Sequence, residues 1–313
     1  MIDFRYHLVS LIAVFLAVAL GIVVGTTQLN GPVLDGLEAQ VSTLTDDNNV
    51  LEAQTESLTE ELTQDDAYDD AVAPLIVANR LVGSSVLLIV TSDDVSPEIV
   101  SETTTLLQAA GAELSGTLRL QPEFSDPQSA SELQEYVTGS GLPAGLTLPQ
   151  TDETPALVAS LLSQVLMQPS AGGEAPEQTA RTTVLAGLAA LGAVISDSGE
   201  VDSADYALIL TGEGFTADDA EARNRALVAL CVALDATGSG VVVGGGPASV
   251  TDGGLLAALR ADAGASTTVS TVNNVDDAAG QVAALLALTA ERTGASGNYG
   301  VGEDTVPLPP LGP

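Results

Sequence analysis

The chain begins with an uncharged apolar run from Leu8 to Gly25 and passes into an acidic segment in which leucine recurs every seventh position. As a helix the run spans roughly 27 Å at ~1.5 Å per residue, about one hydrocarbon core. It predicts a transmembrane anchor over 8–25 behind a short N-terminus, 1–7. In the segment that follows, Leu34, Val41, Asn48, Thr55 and Leu62 take heptad a positions, and Leu37, Leu44, Leu51 and Leu58 take d. Apolar a/d positions over about four heptads predict a coiled-coil stalk, here over 32–72. The stretch Asn30-Gly31-Pro32 predicts a break before it, with the proline suited to a first helical turn. Helical from Pro32 to Asp70, the stalk would reach roughly 55 to 60 Å at ~1.5 Å per residue.

Asn48 at an interior a position favours a parallel two-stranded register, because a buried amide is best satisfied by its own copy. A parallel homodimer is the simplest expectation. The flanks argue differently: Glu38 and Glu52 at e, with Asp47 and Glu61 at g, offer only negative charge, which weakens self-pairing and favours a basic coil from another protein. Thr43, Thr45, Thr55, Thr59 and Thr63 lower helix propensity, so the segment alone also reads as a solvated acidic spacer.

Beyond Pro74 the pattern changes to alternating strand-like and helix-like segments. The continuous apolar runs 85–90, 206–210 and 240–243 are of the kind buried on both faces of a parallel sheet. Glu113 to Leu120 reads as a further strand and Thr267 to Val272 as an edge strand. Helices are predicted over 97–110, 129–137, 154–167, 181–191, 216–234, 253–260 and 278–293. Regular βα alternation predicts a doubly wound, mostly parallel, Rossmann-like α/β domain over 74–293. The Gly/Pro-rich stretch 294–313 reads as a flexible or extended tail.

Charge fixes the orientation expected of the anchor. The Met1 amine, Arg5 and His7 precede it, and the next basic residue is Arg80, so the positive-inside rule puts the N-terminus in the cytoplasm and the bulk outside. A cleaved signal peptide is the competing reading, since Ala17-Val18-Ala19 fits a small-x-small cleavage pattern. The formal net charge is −34, from 42 acidic residues against 8 arginines and no lysine. Such a field excludes nonspecific binding to nucleic acid. The single cysteine, Cys231, cannot form an internal disulfide and lies on an apolar helical face with Leu227, Leu230 and Leu234, where a buried, inert thiol is expected.

In open α/β sheets ligands bind beyond the carboxyl ends of the strands. Asp93 and Asp94 follow the first strand, Glu213 follows Tyr206–Leu210, and Gly244-Gly245-Gly246 follow Val241–Val243, so together they define a candidate acidic crevice. The same residue types are ordinary βα-turn and cap residues, and the spacing is not GxGxxG. The sole histidine, His7, lies beside the anchor, so the body offers no Ser–His or Cys–His pair and the expectation is a non-enzyme. For a soft metal such as Cu(I) the body offers only Met167 and Cys231, each also explained as core. No resident cofactor is expected from the residues themselves.

The block Ile2-Asp3-Phe4-Arg5-Tyr6-His7 with the apolar run to Gly25 resembles the opening of the actinobacterial MctB family, which includes the cell-separation protein SteB. The later order of coil, Arg80-Leu81 and a Tyr299-Gly300 tail is consistent with similarity over most of the chain. The resemblance implies either of two roles. One is copper transport and homeostasis, with an outer-membrane channel. The other is assembly with a SteA-like membrane partner to control a RipA-type peptidoglycan hydrolase during cell separation. A channel barrel needs repeated alternating stretches of about ten residues, whereas this body reads βαβα. The residues fit a membrane-anchored scaffold better than a channel, with a ligand sensor or hydrolase built on the crevice as a third class.

Overall fold

The structure is a computed structural model that describes residues 4–139, 142–197 and 199–310, with the backbone alone for residues 26–34. It divides into two units, residues up to 65 and residues from 66 onward. Helix α1, Phe4–Val77, supplies the first unit and enters the second. It contains the one described helix long and apolar enough to cross a membrane, Phe4–Gly25. The break expected at Asn30-Gly31-Pro32 is absent from the backbone, which is helical throughout α1. An internal proline costs about 3 kcal/mol, and a helix with many turns on either side of it can carry that cost.

Threonines in this unit are accommodated by bonding back to the preceding turn. Thr43, Thr45, Thr55, Thr59 and Thr63 each donate their hydroxyl to the carbonyl four residues earlier, at 2.7 to 2.9 Å. This satisfies the hydroxyl within the helix, at a small cost to helix stability.

The second unit holds β1 (Ser85–Val90), α2 (Pro97–Ala109), β2 (Glu113–Leu120), α3 (Pro122–Ser125), α4 (Ala130–Thr138), α5 (Thr154–Leu166) and α6 (Gln178–Ala190). There follow β3 (Val194–Ser196), β4 (Tyr206–Thr211), α7 (Ala220–Thr237), β5 (Val241–Gly245), α8 (Leu255–Ala261), α9 (Ala265–Thr268), β6 (Ser270–Val272), α10 (Ala278–Glu291) and β7 (Asn298–Tyr299). The seven strands run in the order β3-β2-β1-β4-β5-β6-β7, all parallel except β3, which is antiparallel to β2. The expected doubly wound sheet is therefore present.

Side-chain alternation in the central strands builds two cores. Leu87, Ile89, Ala207, Ile209, Val241 and Val243 face α4 to α8, while Val86, Leu88, Val90, Leu208, Leu210 and Val242 face the end of α1, α2 and α10. Both faces are covered, which is why these strands are apolar without interruption. Helix α2 starts where Ser96 accepts the N–H of Ile99 at 3.2 Å and Pro97 takes the first turn; it stops before Gly111, at φ +78°.

Two strands were not legible in the sequence. The three residues of β3 are too few to show a period. The two of β7 lie in the stretch expected to be a flexible tail, yet they pair with β6 through Thr271–Asn298 and Val272–Tyr299. Consequently β6, expected at the edge, lies between β5 and β7.

Candidate functional site

The strand order reverses between β1 and β4, the place where open α/β sheets bind ligands. Here the strand-end loops are fastened to each other. Thr91 N–H donates to the Leu210 carbonyl at 2.9 Å, Thr91 Oγ1 donates to Thr211 Oγ1 at 3.0 Å, and Gly212 N–H donates to Ser92 Oγ at 3.3 Å. The Glu213 N–H donates to Asp94 Oδ2 at 2.5 Å, and the Asp94 carboxylate fills the space that a Cβ on Gly212 would need. Asp94 and Glu213 are thus brought together through the backbone, although Asp93, Asp94 and Glu213 are all exposed residues.

Two of the three glycines of the predicted crevice, Gly244 and Gly245, have packing roles. A Cβ on Gly244 would meet Val275 at 2.5 Å, and one on Gly245 would meet Ser249 Oγ at 2.5 Å; Gly246 lies beside the Asp276 carboxylate. At Gly244 and Gly245 side chains of this chain occupy the room that glycine leaves in a phosphate cradle. Farther along the same edge, Arg223 of α7 binds Asp219 at 2.8 Å and Asp126, beyond α3, at 3.1 Å, and stacks over Phe215 at 5.6 Å. The chemistry of this edge is mutual fastening of loops.

The soft-ligand candidates lie inside the protein. Cys231 and Met167 belong to the same apolar core and are 1% and 0% exposed. Burial pushes the Cys231 thiol up to about 12, and the Asp235 carboxylate adds to the rise. Cu(I) prefers thiolate and thioether ligands, and both sulfurs here are packed among apolar side chains of the core. The Met167 methyl lies where a Cβ on Gly238 would stand. Among the described residues no three His, Cys, Asp or Glu side chains gather in a metal-ligand set.

On α1 the predicted seam is present as a stripe of exposed apolar side chains. Leu37, Val41, Leu44, Leu51, Leu58 and Leu62 are each more than half exposed. Asn48 donates its amide to Glu52 Oε1 at 2.9 Å. The Leu34 side chain lies outside the described residues.

Sequence reasoning passed over two buried charged residues. Arg181 on α6, 5% exposed, donates to the carbonyls of Val165 and Val201, to Gln178 and to Asp202. Glu291 closes α10 and is 7% exposed. The signal for Glu291 was a lone acid at the end of an apolar helix.

Fold and site together define a class: an α/β protein of Rossmann strand order, carrying one N-terminal helix apolar enough to cross a membrane, whose switch-point loops are closed on themselves. The chain belongs to the MctB family, whose model, described as "Copper transport outer membrane protein, MctB", matches residues 1–310. It is 33% identical over 306 residues to the proteins named "Copper transporter MctB" of Mycobacterium tuberculosis and Mycobacterium bovis, covering 96% of this chain and 97% of theirs. The protein of the same name from Mycobacterium leprae is 33% identical over 309 residues, with the same coverage. The family is named for transport rather than for catalysis. The sheet described here is open, parallel but for β3, and helix-covered on both faces, which is not the closed antiparallel architecture of a transmembrane barrel.

Proposed function

We propose that this protein is a membrane-anchored, non-catalytic component of the cell envelope that works by assembly. In this reading Phe4–Gly25 crosses the bilayer with the N-terminus in the cytoplasm, and the α/β body lies outside. The leucine stripe of α1 pairs with a second helix. The observation that carries it is that stripe: Leu37, Leu44, Leu51 and Leu58 recur at heptad spacing and are exposed. Burying four leucines on each helix supplies several kcal/mol at about 25 cal/mol per Å² of apolar surface. Asn48 sets a parallel register with a second copy. The resemblance to a family that includes a cell-separation protein leads us to propose a SteA-like membrane partner and control of a RipA-type hydrolase as the setting of that assembly.

The experiment is site-directed cross-linking of the full chain in nanodiscs through Leu51→Cys. Efficient cross-linking that is lost on adding Leu44→Ser and Leu58→Ser is expected. A protein that stays monomeric, or cross-links equally well with both serines present, overturns the pairing.

A second reading, transport or homeostasis of copper, is favoured by the name its relatives carry. Copper would then be cargo or an indirect beneficiary of an intact envelope, because Cys231 and Met167 are both core residues. Competition for Cu(I) against a chromogenic chelator separates the readings. Tight binding that disappears with Cys231→Ala or Met167→Leu would favour the metal role.

A further inference from the structure

The switch-point loops are closed, but α3 follows the carboxyl end of β2 directly, and its residues stand on the same ligand-binding edge of the sheet. A pocket of about 180 Å³ opens there between α3, α4, α5 and α7. Its walls are the buried side chains of Phe124, Leu133, Val158 and Ala226, one from each of these helices and all part of the core under α4 to α8. Every one of them belongs to the second unit, so the pocket is complete without the stalk.

The walls are set before any ligand arrives. Arg223 of α7 donates to the Asp126 carboxylate at 3.1 Å and to the Pro122 carbonyl at 3.4 Å, on either side of Phe124 and Ser125. These bonds hold α3 to α7, and a preformed pocket loses little affinity to ordering.

Two hydroxyl groups in the lining have no partner among the described residues. Ser125 is only 9% exposed, and its Oγ makes no hydrogen bond. Thr154, half-buried at the start of α5, supplies the other. The charges around the pocket, in contrast, are already matched. Asp126 is held by Arg223, and Arg225 pairs with Glu221 at 3.0 Å. Glu153 stands where α5 begins, so its carboxylate meets the positive end of that helix. A charged ligand would therefore find no free counter-charge, and a wholly apolar one would leave the buried Ser125 hydroxyl unpaired.

Size narrows the choice further. An apolar cavity of about 150 Å³ holds a benzene molecule, so 180 Å³ admits a single ring with one small substituent. We propose that this pocket binds a small uncharged molecule with a flat apolar body and one hydroxyl group, of the class of simple phenols. The ring lies among Phe124, Leu133, Val158 and Ala226, and its hydroxyl pairs with Ser125 Oγ.

The test is alanine-methyl NMR on the full chain in nanodiscs, titrated with phenol and with toluene, which has a methyl group in place of the hydroxyl. The same amount of lipid in every sample keeps partitioning of each probe constant between variants. Phenol is expected to move the Ala130, Ala222 and Ala226 methyl signals, which line the pocket, in a saturable way. Ser125→Ala should weaken phenol about tenfold, as the loss of one hydrogen bond does, and leave toluene unchanged. Ala222→Leu fills the pocket and should abolish binding of both probes. Should circular dichroism show that this variant does not fold, Ala130→Leu fills the same space from α4. The proposal is overturned by shifts that do not saturate or that spread over alanines elsewhere in the body. Undiminished phenol binding in Ser125→Ala, or in the filled variant, overturns it as well.

Discussion

Asp94, in the loop after β1, accepts the backbone N–H of Glu213, after β4, at 2.5 Å, across the point where the strand order reverses. A charge-assisted bond to a carboxylate that is itself exposed is screened by solvent and contributes about 1 kcal/mol or less. Asp94→Ala is expected to destabilise the body by about 0.5 to 1 kcal/mol in urea unfolding. Gly212→Ala should do so as well, because its methyl group needs the space of the Asp94 carboxylate. If Asp94→Ala leaves stability unchanged, the carboxylate is not a fastener and the crevice regains its claim as a ligand site.

Cys231 is expected to behave as core. With its thiol pushed up to about 12 by burial, reaction with a disulfide reagent at pH 8 should proceed only as fast as the protein unfolds, and completely in urea. Cys231→Ser places a hydroxyl among leucines and should cost about 1 to 3 kcal/mol. Rapid labelling of the native protein would contradict the burial.

Arg181 clips α6 to the carbonyls of Val165 and Val201 and to Asp202. Arg181→Met keeps the apolar stem but leaves buried carbonyls without a donor, an expected loss of about 2 to 3 kcal/mol in urea unfolding. Arg181→Lys should recover only part of it, since one ammonium cannot reproduce the guanidinium fork.

Burial raises Glu291 against the hydrogen bonds from Ser270, which gives a global pH dependence. Its folded value of about 7 exceeds the ordinary 4.5, so the folded state holds the proton more tightly and stability falls as pH rises between these values. Relative to Glu291→Gln, the wild type should lose about 2 kcal/mol between pH 5 and pH 7.5, read as the difference between their urea midpoints. A difference that grows in the opposite direction would refute the assignment.

Asn48 tests the register of the proposed stalk. Asn48→Leu should strengthen pairing, and it should relax the preference for a parallel two-stranded state, which cross-links between differently placed cysteines would report. No change in either would argue that position 48 does not face a partner.

The amino-acid sequence by itself determined the apolar helix at the start, the heptad leucines, and the doubly wound sheet. Each of these is a period repeated over many residues: the strand 85–90 and the helix after it were readable because their burial is enforced at every position. Tertiary structure alone decided the rest. Two or three residues cannot display a period, so β3 and β7 form only because Leu118 to Leu120 and Thr271 to Val272 offer unpaired edges. The same holds at the sites. Asp94, Gly244 and Gly245 have the composition of a binding loop, but whether their space is open depends on what distant residues bring to it: the Glu213 backbone N–H binds Asp94, and the Val275 and Ser249 side chains stand against the two glycines. Glu291 reads as a surface acid at a helix end until the fold buries it against Ser270, because desolvation belongs to the packed neighbourhood and not to the residue.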